Sequence, residues 1–66
     1  MKAINKAIKI AGGQSALARQ VGCTYQVVQH WIANGYAPAK WFKAIETATG
    51  GQVSRMDLLS DLEAAA

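Results

Sequence analysis

Acidic residues are missing from the N-terminal two-thirds of this chain. Lys2, Lys6, Lys9, Arg19, Lys40 and Lys43 precede residue 44 with no aspartate or glutamate among them, whereas Glu46, Asp57, Asp61 and Glu63 all come later. Positive charge is thus gathered in the first two-thirds of a chain whose net charge is +3, which makes that part the candidate to meet a polyanion. Cysteine is nearly absent. Cys23 stands alone, so no internal disulfide can close, and with His30 the single histidine there is no set of metal ligands. The lone thiol reads as a buried, reduced small hydrophobe. No apolar run reaches the roughly 18 residues of a membrane span. The start, Met1-Lys2-Ala3-Ile4-Asn5-Lys6, lacks the apolar stretch of a secretion signal, and the expected location is the cytoplasm. There is no nucleophile–base pair, no paired carboxylates and no phosphate loop. An enzyme is therefore not expected, and no cofactor, metal or small-molecule substrate is implied.

What is present is apolar material with clear punctuation. Of 66 residues, 52% are hydrophobic and 17% charged, a balance that favours one packed domain over residues 1–66. Gly12-Gly13, Gly22, Asn34-Gly35 with Pro38, and Gly50-Gly51 divide the chain into five segments of helical length. The first, about residues 2–11, sets Ile4, Ile8 and Ala11 at helical spacing, with Lys2, Lys6 and Lys9 on the opposite face. That lysine stripe reads as a solvated face before it reads as a phosphate contact. The second, about 14–21, carries Ala16, Leu17, Ala18 and Val21 and stops at Gly22, where a helix end wants a left-handed residue. The third opens on the N-cap residue Thr24 and runs to Ala33. The fourth starts near Pro38 and runs to Thr49, with Trp41, Phe42, Ile45 and Ala48 as its apolar face. Those aromatics read as core, not as a platform for stacking single-stranded bases. The fifth begins with the capping pair Ser54 and Asp57 and draws apolar residues from Met56, Leu58, Leu59 and Leu62. Met56, Leu59 and Leu62 are expected to close the core, with a dimer contact as their other use. Val53 has no second strand to pair with. The expected fold is all-α, a compact bundle of about five short helices.

Segments two and three, joined by a tight glycine-containing turn, predict a helix-turn-helix over about residues 14–33. Ala18 falls where the two helices touch, Gly22 opens the turn, and Val28 and Trp31 anchor the second helix. Helical spacing puts Val27, Val28, Trp31 and Ile32 on one side of segment three and Gln26, Gln29 and His30 on the other, with Tyr25 at the margin and Ala33 alongside. Amides, an imidazole and a phenol on a capped helix suit the base edges of the major groove. Glutamine can bond adenine through N6 and N7, and the apolar parts of Tyr25 or Ala33 can meet a thymine methyl. The partner implied is double-stranded DNA. Phosphate contacts are expected from the frame: Gln14 and Ser15 at the amide-rich start of segment two, and Asn34, Tyr36 and Lys40 around the end of segment three. Arg19 can serve the same purpose or pair with Glu46.

The stretch Gly12-Gly13-Gln14-Ser15-Ala16-Leu17-Ala18, then Val28-Gln29-His30-Trp31-Ile32, Pro38, Ala44-Ile45-Glu46 and Thr49-Gly50-Gly51 resembles the Cro-type repressors of temperate phages. It is similar above all to their all-helical members and to the YdaS-like regulators encoded in prophages, over about residues 10–62. The resemblance implies a lambda-repressor-like DNA-binding domain, a bacterial host, and a homodimer, weak or DNA-induced, repressing from a pseudo-palindromic operator. Carried onto this chain, the base-reading positions are Tyr25, Gln26, Gln29 and His30 with Thr24 at the helix start, and the phosphate position that opens the motif is Gln14. One departure stands out. Many relatives carry lysine or arginine on the reading face, and residues 24–34 here contain neither. Weight moves from arginine–guanine contacts to glutamine contacts. The other expectation is an antitoxin-like or protein-interaction module with the same fold, its contact made by the leucines of segment five.

Overall fold

The computed structural model describes residues 2–65, so Met1 and Ala66, the ends of the expected 1–66 domain, lie outside the described residues. The chain runs α1 (Ala3–Ala11), α2 (Gln14–Val21), α3 (Tyr25–Asn34), a 3₁₀ turn (Ala39–Trp41), α4 (Phe42–Ala48) and α5 (Arg55–Ala65). No strand occurs among the described residues, and no helix is long and apolar enough to cross a membrane. The expected all-helical architecture is borne out.

The core is built where helical periods meet. Ile4, Leu17, Val28, Ile45, Val53 and Leu58 are wholly buried, one or more from almost every element. Side chains three or four apart share a helix face, so α1 turns Ala3, Ile4 and Ala7 inward and leaves Lys2, Lys6 and Lys9 exposed. α2 lies against α1, α3 and α4 and forms the centre of the bundle.

Segment four does not form one helix from Pro38. Proline supplies a carbonyl but no N–H, and the Trp41 amide bonds the Pro38 carbonyl at 3.0 Å to close a 3₁₀ turn before α4 begins. Such tight turns are frequent at helix N-termini. Here the turn seats Trp41 beside Trp31, with ring centroids 5.7 Å apart and planes inclined by 52°.

The loop from α4 to α5 is held by Thr49, a buried polar residue. Its hydroxyl donates to the Ile45 carbonyl at 3.0 Å and accepts the Val53 amide at 3.2 Å. Val53 therefore enters the core from a loop and needs no strand partner. α5 starts on the expected capping pair. The Asp57 amide bonds Ser54 Oγ at 3.2 Å and the Ser54 amide bonds Asp57 Oδ2 at 3.1 Å. The Ser54 amide first, and then the Ser54 hydroxyl, hold the Asp57 carboxyl below its usual range, with a smaller contribution from Lys6.

Two expectations are corrected in this region. α5 buries Leu58 and Asp61, with Leu62 half-buried beside them, while Met56 is 73% and Leu59 37% exposed. Once Leu58 points inward, the 100° step per residue carries Met56 to the far side, so Met56 and Leu59 do not close the core. Glu46 does not pair with Arg19. It accepts the Arg55 amide at 3.0 Å and lies 3.9 Å from the Arg55 guanidinium, because the loop after α4 brings the start of α5 back to it.

Candidate nucleic-acid interface

The helix-turn-helix forms as its spacing requires. Gly22 ends α2 with φ +87°, a left-handed conformation that a side chain would strain. The amides of Gly22 and Cys23 both bond the Ala18 carbonyl at 2.9 Å, closing the turn. Ala18 is buried at the crossing, and a larger side chain there would separate the helices. Thr24 caps α3 through its hydroxyl, which accepts the Val27 amide at 3.4 Å. Cys23 is half-buried, less enclosed than expected, because the turn runs along the surface. Burial still pushes its thiol pKa up, which keeps it in the less nucleophilic neutral form.

Val28 and Trp31 fix the inner face of α3, and Val27 and Ile32 are half-buried at its flanks. The outer face carries Tyr25, Gln26, Gln29, His30 and Ala33, all exposed. Gln26, Gln29, His30 and Ala33 line one shallow hollow. Tyr25 sits a turn earlier, and its phenol oxygen accepts a hydrogen bond from Gln29 Nε2 at 3.1 Å. Thr24, expected at the start of this face, is exposed but already engaged as the cap. The face therefore offers amide donors and acceptors, a phenol, an imidazole and a methyl group, with no lysine, arginine or carboxylate among them.

Around this helix the structure places the candidate phosphate contacts. α2 begins at Gly13, so its first amides, near Gln14 and Ser15, have no side-chain cap. Ser15 is exposed and Gln14 half-buried, with Gln14 Oε1 enclosed and without a hydrogen-bond partner. Asn34 and Lys40 are exposed, Tyr36 is half-buried, and the Lys40 ammonium lies 5.9 Å from the centre of the Trp41 ring. Arg19 is exposed on α2.

Sequence reasoning missed Lys2 as a neighbour of this region. Its side chain reaches the C-terminal end of α3, with Nζ 3.5 Å and Cε 3.4 Å from the point a Cβ on Gly35 would occupy. Gly35 caps α3 at φ +86°. A cation suits that end of a helix, where carbonyls concentrate negative charge. A helical wheel shows only that Lys2 faces away from Ile4. The crossing of α1 over α3 brings it here.

The family model described as "Bacterial toxin YdaS" matches residues 4–66. The chain belongs to the YdaS family. A YdaS protein of Escherichia coli (strain K12), named "Putative transcriptional regulator YdaS", is 39% identical over 59 residues, 88% of this chain. The aligned stretch makes up 60% of that YdaS protein's own length. No solved structure matches the chain.

Proposed function

We propose that this YdaS-family chain is a transcriptional regulator that binds duplex DNA with α3 in the major groove. The observation that carries this reading is the outer face of α3. Gln26, Gln29, His30 and Ala33, with Tyr25 at their margin, stand exposed on a helix whose cap, turn and inner anchors are all in place. The name of the Escherichia coli relative supports it. Gln26, Gln29 and His30 read bases, Ala33 faces a thymine methyl, and Thr24 and Tyr25 stand at the entry of the helix. Gln14, Ser15, Asn34, Tyr36 and Lys40 fix the register on phosphates, and we add Lys2 to that frame. Residues 1–66 act as one DNA-binding domain in the bacterial cytoplasm, with no cofactor, metal, membrane or small-molecule substrate involved.

In this reading a weak or DNA-induced dimer sets two copies of α3 about 34–36 Å apart, one turn of DNA, on a pseudo-palindromic operator, and represses as Cro-type proteins do. The exposed Met56 and Leu59 are the surface assigned to the second copy. The test is selection of bound duplexes from a random pool, followed by affinities at two salt concentrations. An enriched palindrome with half-sites about one turn apart supports the dimeric repressor. Salt-sensitive binding with no enrichment leaves a nonspecific binder.

A second reading, a protein-interaction module of antitoxin-like or toxin type, is favoured by the family description, which names a toxin, and by the exposure of Met56. Absence of DNA binding at low salt selects it.

A further inference from the structure

We propose that Tyr25 is a positioning residue: it does not read a base but holds the Gln29 side chain in the orientation that accepts adenine and rejects guanine. The proposal rests on the DNA-reading role assigned to α3 and deepens it.

The count of hydrogens decides what Gln29 can offer a base. A glutamine amide has two N–H donors on Nε2 and one acceptor oxygen. Nε2 of Gln29 gives one hydrogen to the phenol oxygen of Tyr25 at 3.1 Å. One N–H and the carbonyl Oε1 remain free for a base. Adenine presents N7 as an acceptor beside the N6 amino donor in the major groove, and the free pair on Gln29 matches it. Guanine presents two acceptors, N7 and O6. An unrestrained amide can turn its N–H edge toward them and swing Oε1 away. With Nε2 tied to Tyr25 the amide cannot make that turn, and Oε1 is left facing O6, two acceptors in opposition. The bond therefore leaves adenine readout intact and removes the arrangement that would tolerate guanine.

Order matters as well as polarity. A glutamine has three side-chain torsions, and freezing them on binding costs entropy. Tyr25 follows the Thr24 cap directly and is 43% exposed, with the rest of its surface covered. Its position one helical turn before Gln29 lets the two side chains meet on one face. In free protein the exposed bond contributes little, because water competes for both partners. Water displaced from the groove leaves the bond uncontested when DNA is bound.

The test compares wild type, Tyr25→Phe, Gln29→Ala and the double variant on the enriched operator and on nonspecific duplex. The adenine position is the one whose preference Gln29→Ala abolishes, and its guanine variant is included. Melting curves establish that each variant folds. The expected result is that Tyr25→Phe lowers the adenine-to-guanine preference there by roughly five- to tenfold, part of what a bidentate pair supplies. Affinity for nonspecific duplex stays constant, and in the Gln29→Ala background Tyr25→Phe has no further effect. An unchanged preference at that position overturns the proposal. So does an equal loss on all duplexes, which makes Tyr25 a phosphate contact, or a lost preference at a different base, which makes it a reader itself. If wild type enriches no motif, or Gln29→Ala leaves every preference intact, the underlying reading of α3 fails and takes the proposal with it. That result differs visibly from a normal motif with a silent Tyr25→Phe.

Discussion

The carboxylate of Asp61 accepts the backbone amide of Ile4 at 3.0 Å, joining residues 57 positions apart. Its other oxygen accepts the Ala3 amide at 3.1 Å. α1 has no capping side chain of its own, since Lys2 occupies that place. The first turn of α1 is thus capped from α5. Asp61→Ala leaves two enclosed amides without acceptors and is expected to destabilise the fold by about 1–3 kcal/mol. For a chain of this size that lowers the melting temperature by roughly 4–8 °C per kcal/mol. Thermal unfolding checks it, and an unchanged melting temperature would show that the bond contributes nothing.

Thr49→Val keeps the shape of the side chain and removes the hydroxyl that accepts the Val53 amide. The cost expected is about 1–2 kcal/mol, from leaving a buried donor unpaired. Urea unfolding should show a lower midpoint with an unchanged slope. Thr49→Ser, which retains the hydroxyl, should recover much of the loss.

The Asp57 carboxyl is held below its usual value of 3.8, first by the Ser54 amide and then by the Ser54 hydroxyl. The sign follows from linkage. A carboxyl with a depressed folded-state pKa contributes stability that is fully present above its unfolded pKa and is lost as pH falls through the folded one. The melting temperature of wild type should therefore exceed that of Asp57→Asn at neutral pH. The difference should shrink only below about pH 4, near the unfolded aspartate value. A gap that stays constant from pH 7 to pH 3 contradicts the capping role.

Gln29→Ala and Lys40→Ala should separate reading from anchoring. The first relaxes preference at a single base, worth about 1–3 kcal/mol of discrimination. The second weakens binding to all sequences alike and reduces the slope of log affinity against log salt by about 1. Equal losses of specific and nonspecific binding in Gln29→Ala would remove it from the reading face.

Met56→Glu places a charge where the side chain is already 73% exposed, so the monomer should fold with an unchanged melting temperature. If Met56 and Leu59 meet a second copy, sedimentation should show lost self-association, and binding to a full palindrome should drop to that of a half-site. Persistent dimers in this variant would move the interface elsewhere.

Much of the fold was legible because its signals are local. Gly22, Thr24 and Gly35 each act through their own turn, and the limits of α2 and α3 follow from them almost to the residue. The Ser54–Asp57 cap is local in the same way. The exposed face of α3 follows from its 3.6-residue period, since Val28 and Trp31 could face only one way. What was not legible depends on packing between distant segments. The contact of Asp61 with α1 needs α5 to lie across it, and the pairing of Glu46 with Arg55 instead of Arg19 depends on the path of one loop. The phase of α5 was the hardest, because its leucines and methionine lie on several sides and its pattern alone does not choose among them.

Gln26, His30 and Ala33 are exposed and outside the core. On the proposed reading, mutations at these positions alter the surface offered to DNA without disturbing what holds the chain folded. Descendants of such a sequence can drift from one target to another while selection on folding leaves them alone. The joined pair is the exception. If Tyr25 positions Gln29 as proposed, positions 25 and 29 should change together across such descendants while 26, 30 and 33 vary singly.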